Sequence, residues 1–129
     1  MSFILIPHHG EDLRVNAWNW RPTIALLRHA NLIDEQQHEL MGCNGCSGGV
    51  NSEIANTIAY FLDEQLKHMT PGQRLRADLT ATNEPKRMVI FTPGMKVEDI
   101  DAAEIYSATY EWLVIFRDFC RTSAGFKVS

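Results

Sequence analysis

The chain has 129 residues, of which 45% are hydrophobic and 22% are charged, and its formal net charge is −4 at pH 7. This length allows one domain with a core that needs neither disulfides nor metal ions. The acidic balance argues against an overall attraction to nucleic acid or to an anionic membrane surface. No stretch approaches the ~18 consecutive apolar residues of a membrane span, and the apolar run near the start is too short for a signal peptide. We therefore expect one globular domain over residues 1–129, located in the cytoplasm.

The first quarter of the chain contains one clear strand and one ambiguous segment. Residues 3–6 form a short apolar run ended by Pro7, which predicts a strand. Residues 13–20 alternate apolar and polar side chains, which favours a second extended segment. The alternative is a loop whose two tryptophan rings lie on the next helix. Pro22 fits the first turn of that helix, since its missing N–H would have no partner there, and we expect the helix to end near Asn31.

Two further helices are indicated by their capping residues. Asp34 followed by Gln37 has the spacing of a capping box, and Gly42 is the expected left-handed residue that ends this short helix. The next helix is capped by Asn51 or Ser52 and ends at residues 70–72. Its apolar residues recur at three- and four-residue steps, and they are Ile54, Ile58, Phe61 or Leu62, Leu66 and Met69.

The second half of the chain predicts a hairpin and then a long helix. Residues 74–81 alternate and residues 87–91 are apolar, so the polar residues 83–86 between them indicate an antiparallel turn. Residues 99–123 have a helical pattern with a broad apolar face. Gly125 is the expected left-handed cap, after which Phe126 folds back onto the last turn near Cys120. Residues 126–128 can add a short terminal strand. Together these elements predict a helix-rich α+β domain, with three to four helices and a small antiparallel sheet.

The segment of residues 42–50, which we call the glycine loop, is the least ordinary part of the sequence. Cys43 and Cys46 have the two-residue spacing of half a zinc site, although a structural zinc needs two more ligands. Cys120, His38, and His8 or His9 could supply them only through the fold. An odd number of cysteines (three) without an export signal favours reduced thiols, so the alternative is two thiols in a glycine turn. Zinc is the only cofactor that this pattern suggests.

Two other candidate sites are weaker. The backbone N–H groups of a glycine-rich segment before a helix can hold an anion, and the residues in question are Asn44, Gly45, Gly48 and Gly49. Trp18 and Trp20 lie outside any strong periodic pattern and flank a cation, which is typical of a partner-binding surface made of Trp18, Trp20 and Arg21. His8 and His9 are neighbours that point to opposite sides if the chain there is extended, so they suit a solvated turn better than one metal ion.

Three motifs of the sequence resemble those of other proteins. They are Asn-Ala-Trp-Asn-Trp-Arg-Pro at residues 16–22, Asn-Gly-x-x-Gly-Gly-Val at 44–50, and Trp-Leu-x-x-Phe-x-x-Phe-Cys-Arg-x-x-x-Gly-Phe at 112–126. With them the chain resembles a loose group of small bacterial proteins that carry no assigned activity. The motifs consist of aromatic and glycine residues, so the resemblance implies a compact domain and no reaction.

The sequence contains no coherent catalytic set, and three classes of function remain open. The first is a small non-catalytic protein that acts through a protein partner, as an inhibitor, an immunity-type protein or an accessory subunit. The second is a ligand- or metal-binding protein that uses the glycine loop. The third is an enzyme whose site only the fold assembles. A homodimer is left open, and neither nucleic acid nor a membrane is expected as a partner.

Overall fold

The computed structural model describes residues 2–76, 78–83 and 107–129, which build an α+β fold as the sequence predicts. The helices in these parts of the chain are α1 (Ala17–His29), α2 (Glu35–Met41), α3 (Ser52–Lys67) and α4 (Tyr110–Ser123). The strands are β1 (Ser2–Pro7), β2 (Leu13–Asn16), β3 (Gly49–Asn51), β4 (Arg74–Leu75), β5 (Ala81–Thr82), β6 (Ala108–Thr109) and β7 (Gly125–Val128). None of the helices in the described ranges is long and apolar enough to cross a membrane.

The larger sheet is antiparallel, with the strand order β2-β1-β7-β3. The terminal strand expected at residues 126–128 is present as β7, and it lies inside the sheet between β1 and β3. Leu5 of β1 is opposite Val128, and Val50 of β3 is opposite Phe126. The first and last described strands are therefore direct neighbours, and β3, which the sequence pattern did not predict, pairs with the other side of β7.

One face of this sheet forms the floor of the hydrophobic core. Because successive side chains of a strand point to opposite faces, one side chain in two is buried there. The buried strand residues are Phe3, Leu5, Val15, Val50, Phe126 and Val128. The buried residues of the helices belong to the same cluster. Its centre is aromatic, since the rings of Trp20 and Phe116 are 5.6 Å apart and both lie within 6.4 Å of the Phe126 ring.

The start of α1 differs from the prediction. Extended structure ends at Asn16, and the helix begins at Ala17, so Pro22 lies inside the helix and not in its first turn. The cause is a local cap: the side-chain oxygen of Asn16 accepts a hydrogen bond of 2.9 Å from the N–H of Asn19. Of the alternating segment 13–20, residues 13–16 form the strand β2, and residues 17–20 form the first turn of α1.

The caps of the next two helices are confirmed. Asp34 accepts a hydrogen bond of 2.7 Å from the N–H of Gln37, whose side chain accepts one of 3.0 Å from the N–H of Asp34. Asn51 caps α3 by accepting from the N–H of Ile54 at 2.9 Å. Gly42, however, is not left-handed, since its φ is −88°. Its lack of a side chain serves packing instead, because a Cβ atom there would lie 3.2 Å from the side chain of Ile24.

The strand expected over residues 74–81 is instead a tight hairpin. Its strands β4 and β5 pair with each other, and β6 pairs with the other side of β4. The side chain of Asp78 accepts a hydrogen bond of 3.0 Å from the N–H of Thr80, and Leu79 has a φ of 71°. A short polar side chain that bonds its own backbone competes with strand pairing, so the chain turns there.

The predicted long helix is shorter at its start. Thr109 caps α4 by accepting a hydrogen bond of 3.1 Å from the N–H of Trp112, and the two residues before the helix form β6. Gly125 has a φ of 99°, as expected, and the preceding Ala124 is also left-handed. Phe126 does fold back onto the helix, with its ring 5.5 Å from that of Phe119. The strand expected over residues 87–91, its turn and residues 99–106 lie outside the described residues.

We expect Gly48→Ala to lower the free energy of unfolding by about 1–3 kcal/mol. The added Cβ would lie 2.5 Å from the carbonyl carbon of Leu40, where only backbone can move aside. Gly45→Asn is the matched control in the same loop, because no atom lies near its Cβ position and asparagine tolerates the φ of 78°. Urea denaturation measures both variants. Equal losses in the two would show that Gly48 is not a packing constraint.

Candidate functional site

The glycine loop holds its two cysteines together. The structure joins Cys43 and Cys46 in a disulfide, with Cα atoms 5.5 Å apart, so the expectation of reduced thiols is wrong. The turn between them brings the sulfurs within reach: the N–H of Cys46 donates to the carbonyl of Cys43 at 3.4 Å, and Gly45 supplies a φ of 78°. The overall cysteine count does not reveal such a local pairing, and the two-residue spacing marks the loop without showing that the two sulfurs are bonded to each other.

A zinc site is not assembled by the described residues. In the disulfide neither Cys43 nor Cys46 can provide a thiolate, which is the form that binds zinc. Among the described residues no group of three or more His, Cys, Asp and Glu side chains could hold a metal ion. Cys120 is fully buried, and burial raises the pKa of its thiol well above the ordinary value. It is the small core residue that the sequence suggests.

Three of the four residues expected to hold an anion form hydrogen bonds or strand pairing within the fold. The side-chain amide of Asn44 donates to the carbonyl of Ser2 at 3.0 Å and to that of Ser129 at 3.5 Å. The carbonyl of Gly48 accepts from the N–H of Val128 at 2.7 Å, and Gly49 belongs to β3. Gly45, the remaining member, is exposed at the tip of the turn. Anion binding stays a prediction.

The two tryptophans have different surroundings. The side chain of Trp20 is fully buried, and its indole N–H donates to the carbonyl of Met41 at 2.9 Å, so it is a core residue and the prediction of a surface anchor there is wrong. Trp18 is 50% exposed. Arg21 is also exposed, and its guanidinium carbon lies 5.7 Å from the centre of the Phe3 ring. Trp18 and Arg21 are three residues apart on α1, so they share a face of that helix.

A polar chain that the sequence pattern did not reveal connects α1 to the start of α4. The buried hydroxyl of Thr23 donates to the carbonyl of Asn19 at 2.6 Å and accepts from the indole N–H of Trp112 at 2.8 Å. The side chain of Asn19 accepts from the N–H of Thr109 at 3.1 Å. No buried side-chain nitrogen or oxygen within the described ranges lacks a hydrogen-bond partner. This chain is structural, because its buried polar side-chain atoms already have hydrogen-bond partners.

His8 and His9 lie in the exposed turn after β1. This is the solvated turn that the sequence favours; because the chain is not extended there, the two rings lie 5.0 Å apart. Their backbone N–H groups donate to the carbonyls of Gly125 and Ser123, at 2.9 and 2.8 Å. The pair thus closes the end of the sheet, and within the described ranges it joins no group of side chains that could hold a metal ion.

The second face of the larger sheet, which we call the outer face, points away from the core. Ile6 is 43% exposed on it, and Arg14 and Lys127 are exposed as well. The register makes these side chains neighbours, since Ile4 is opposite Arg14, and Ile6 is opposite Lys127. Lys127 is in turn opposite Gly49, which has no side chain to cover it. The alternation within each predicted strand is the signal that could have found this surface.

The charge on the outer face has the opposite sign to that of the chain. The remaining outward positions of its strands are Ser2, Asn16, Gly49, Asn51 and Gly125. None of the outward positions in these four described strands is Asp or Glu, whereas the whole chain has a net charge of −4. The nearest acidic residues in sequence are Glu11 and Asp12, in the turn that joins β1 to β2, and Glu53, two residues after β3. The outer face is therefore a cationic and apolar surface on an acidic protein.

Comparison with known proteins adds no family to this description. No family model, curated protein or solved structure matches the chain. Trp20, Gly48 and Phe126, which belong to the aromatic and glycine motifs of the sequence, are packing residues. Function has to be inferred from the surface.

We expect Trp20→Phe to lower the free energy of unfolding by about 2–4 kcal/mol, because it removes core volume and leaves the buried carbonyl of Met41 without its donor. Trp18→Phe is the matched control, and its half-exposed ring should change stability by about 1 kcal/mol or less. Urea denaturation of the two variants measures the difference. Similar losses would contradict the assignment of Trp20 alone to the core.

Stability should also depend on pH through His38. Burial, and then the positive charge of Arg28, hold the pKa of His38 below its usual value of 6.5. A histidine whose folded pKa is lowered binds fewer protons when folded, so the free energy of unfolding should fall as the pH drops below about 6.5. We expect His38→Gln to reduce this fall. Urea denaturation between pH 7.5 and 5, in steps of about half a unit, tests this; an unaltered profile in His38→Gln would contradict it.

Proposed function

We propose that this protein acts without catalysis, by binding a protein partner through the outer face of its larger sheet. The observation that carries the proposal is the combination of Ile4 and Ile6 with Arg14 and Lys127 on a face without acidic strand positions, in a chain of net charge −4. An apolar centre bordered by charged residues is the usual composition of a protein-binding surface.

The energetics favour an acidic partner with apolar residues. Covering the exposed part of Ile6 removes apolar surface from water, which contributes roughly 25 cal/mol for each Å². The cations at Arg14 and Lys127 accelerate the encounter with an acidic surface and select against a basic one. The acidic remainder of the protein repels the same partner, so approach is directed to the outer face.

Trp18 and Arg21 form a second candidate contact on α1, which packs against the core side of the sheet. Trp18 follows β2 by only two residues, and it is half exposed. A large aromatic ring next to a cation is a frequent anchor in protein interfaces. A flat face of this kind suits an inhibitor, an immunity-type protein or an accessory subunit. A cytoplasmic location, as expected from the sequence, belongs to the same proposal.

Site-specific photo-crosslinking tests the proposal. Ile6 is replaced by benzoylphenylalanine in cells that express the protein from its own gene, and the adduct is identified by mass spectrometry. Tyr60, which is 77% exposed on α3, receives the same replacement as the control for general surface reactivity. We expect a specific adduct from position 6, attached to a segment of the partner that contains Asp or Glu beside apolar residues.

Charge reversal supplies the decisive comparison. The double variant Arg14→Glu and Lys127→Glu changes only exposed side chains, so it should fold normally while it lowers the yield of the adduct about tenfold or more. An adduct that forms equally from positions 6 and 60, or that survives the reversal, would contradict the proposal. An adduct with a second copy of this chain would replace the foreign partner by a homodimer.

A further inference from the structure

The disulfide turn lies between two points that the core holds in place. On one side, Met41 is fully buried and its carbonyl accepts the indole N–H of Trp20 at 2.9 Å. On the other side, Gly48 is buried and its carbonyl accepts the N–H of Val128 at 2.7 Å. Between these points the chain comes to the surface, where Cys43 is exposed. The disulfide thus closes a small surface ring on a rigid base.

This ring contains the side chain that contacts both central strands. Asn44 donates to the carbonyl of Ser2, at the start of β1, and to the carbonyl of Ser129, just after β7. Ser129 in turn exchanges two backbone hydrogen bonds with Ile4, of 2.8 and 3.2 Å. The position of the ring therefore determines how firmly this end of the β1–β7 pair is held.

The disulfide is poorly suited to a purely structural task. A crosslink stabilises a protein less when it closes a shorter loop, and this one joins residues only three apart. The hydrophobic core is built by residues of all the larger elements without it. Cys43 is an exposed residue, and access for an attacking thiolate is one of the conditions for thiol–disulfide exchange. These features are those of a bond that is made and broken.

We propose that Cys43 and Cys46 form a reversible redox pair, which exchanges with an external dithiol and controls the hold of Asn44 on β1 and β7. A thiolate of the dithiol attacks the sulfur of Cys43, the bond to Cys46 breaks, and the released Cys46 thiolate takes up a proton. The second thiol of the reductant, as its thiolate, then attacks the other sulfur of the reductant, which is bonded to Cys43 in the mixed disulfide. Cys43 leaves as a thiol, the reductant becomes a cyclic disulfide, and two electrons have passed to the protein.

Reduction changes the turn and leaves the core in place. Without the bond, the backbone of residues 43–46 gains conformational freedom, because the remaining restraint across the ring is one hydrogen bond of 3.4 Å between the N–H of Cys46 and the carbonyl of Cys43. The hydrogen bonds of Asn44 then form for a smaller fraction of the time. The pairing of Ser129 with Ile4 opens more often, while the buried residues of α3, such as Ile58 and Leu62, are unaffected.

Hydrogen exchange measured by NMR on the full chain tests this coupling. We expect dithiothreitol to accelerate the exchange of the Ser129 N–H about fivefold or more, to leave the N–H groups of Ile58 and Leu62 unchanged, and to be reversed by reoxidation. The double variant Cys43→Ser and Cys46→Ser should show the fast exchange in either buffer. Asn44→Ala should show it with the disulfide intact, which separates the hydrogen bonds from the crosslink.

Three results would overturn the proposal. The first is an unchanged Ser129 exchange rate after mass spectrometry with iodoacetamide has shown both thiols to be free. The second is full labelling of Cys43 and Cys46 after the reduced protein has been treated with oxidised dithiothreitol, which would show that the disulfide does not form again. The third is slow exchange in Asn44→Ala, which would show that the turn does not act through this side chain. Because the first test uses the natural protein, it does not depend on whether a variant folds.

Discussion

The pairing of β7 with β1 on one side and with β3 on the other is the constraint on which the rest of the fold depends. It brings residues from both ends of the described chain and from its middle into one sheet. Gly125 makes the approach to β3 possible, because a Cβ atom there would lie 2.9 Å from the carbonyl oxygen of Val50. Its φ of 99° also turns the chain from α4 directly into the strand.

The aromatic core follows from that pairing. Once β7 is in the sheet, Phe126 lies beneath Trp20 and Phe116, and these rings fill the space between the sheet, α1 and α4. The helices α3 and α4 pack side by side above it, with Asp63 of α3 facing Arg117 at 3.2 Å and Arg121 at 3.7 Å across their surface. The packing of all these elements on one face leaves Ile6 and Lys127 turned toward solvent on the other.

Local chemistry in the sequence predicted much of this fold, and long-range pairing was what it could not predict. Helix caps depend on residues only three apart, so the sequence itself shows them. Examples are the capping box of Asp34 and Gln37 and the cap at Asn51. The strand β3 has only three residues, and it exists because β7 lies beside it. The start of α1 was misplaced for a related reason: the alternation over residues 13–20 fits a strand, but the cap made by Asn16 overrides it.

The candidate sites divide in the same way. The spacing of Cys43 and Cys46 correctly marked the loop, yet the sequence could not show that the sulfurs bond to each other or that Asn44 reaches Ser2. Trp18 and Trp20 look alike in the sequence, and only the direction of each side chain from α1 separates the exposed ring from the buried one. Alternation marks the outward residues of each predicted strand, but the sequence could not bring them together into one outer face, because the strands are far apart in the chain.

Removal of residues 125–129 tests the central part played by β7 most directly. The account predicts that a chain ending at Ala124 loses cooperative unfolding and the dispersed amide spectrum of a folded protein, since β1 and β3 lose their common neighbour and the core loses Phe126. Lys127→Ser in the full chain, which changes only an outward side chain, should retain both. A truncated chain that unfolds cooperatively at the same urea concentration as the full chain would contradict the account.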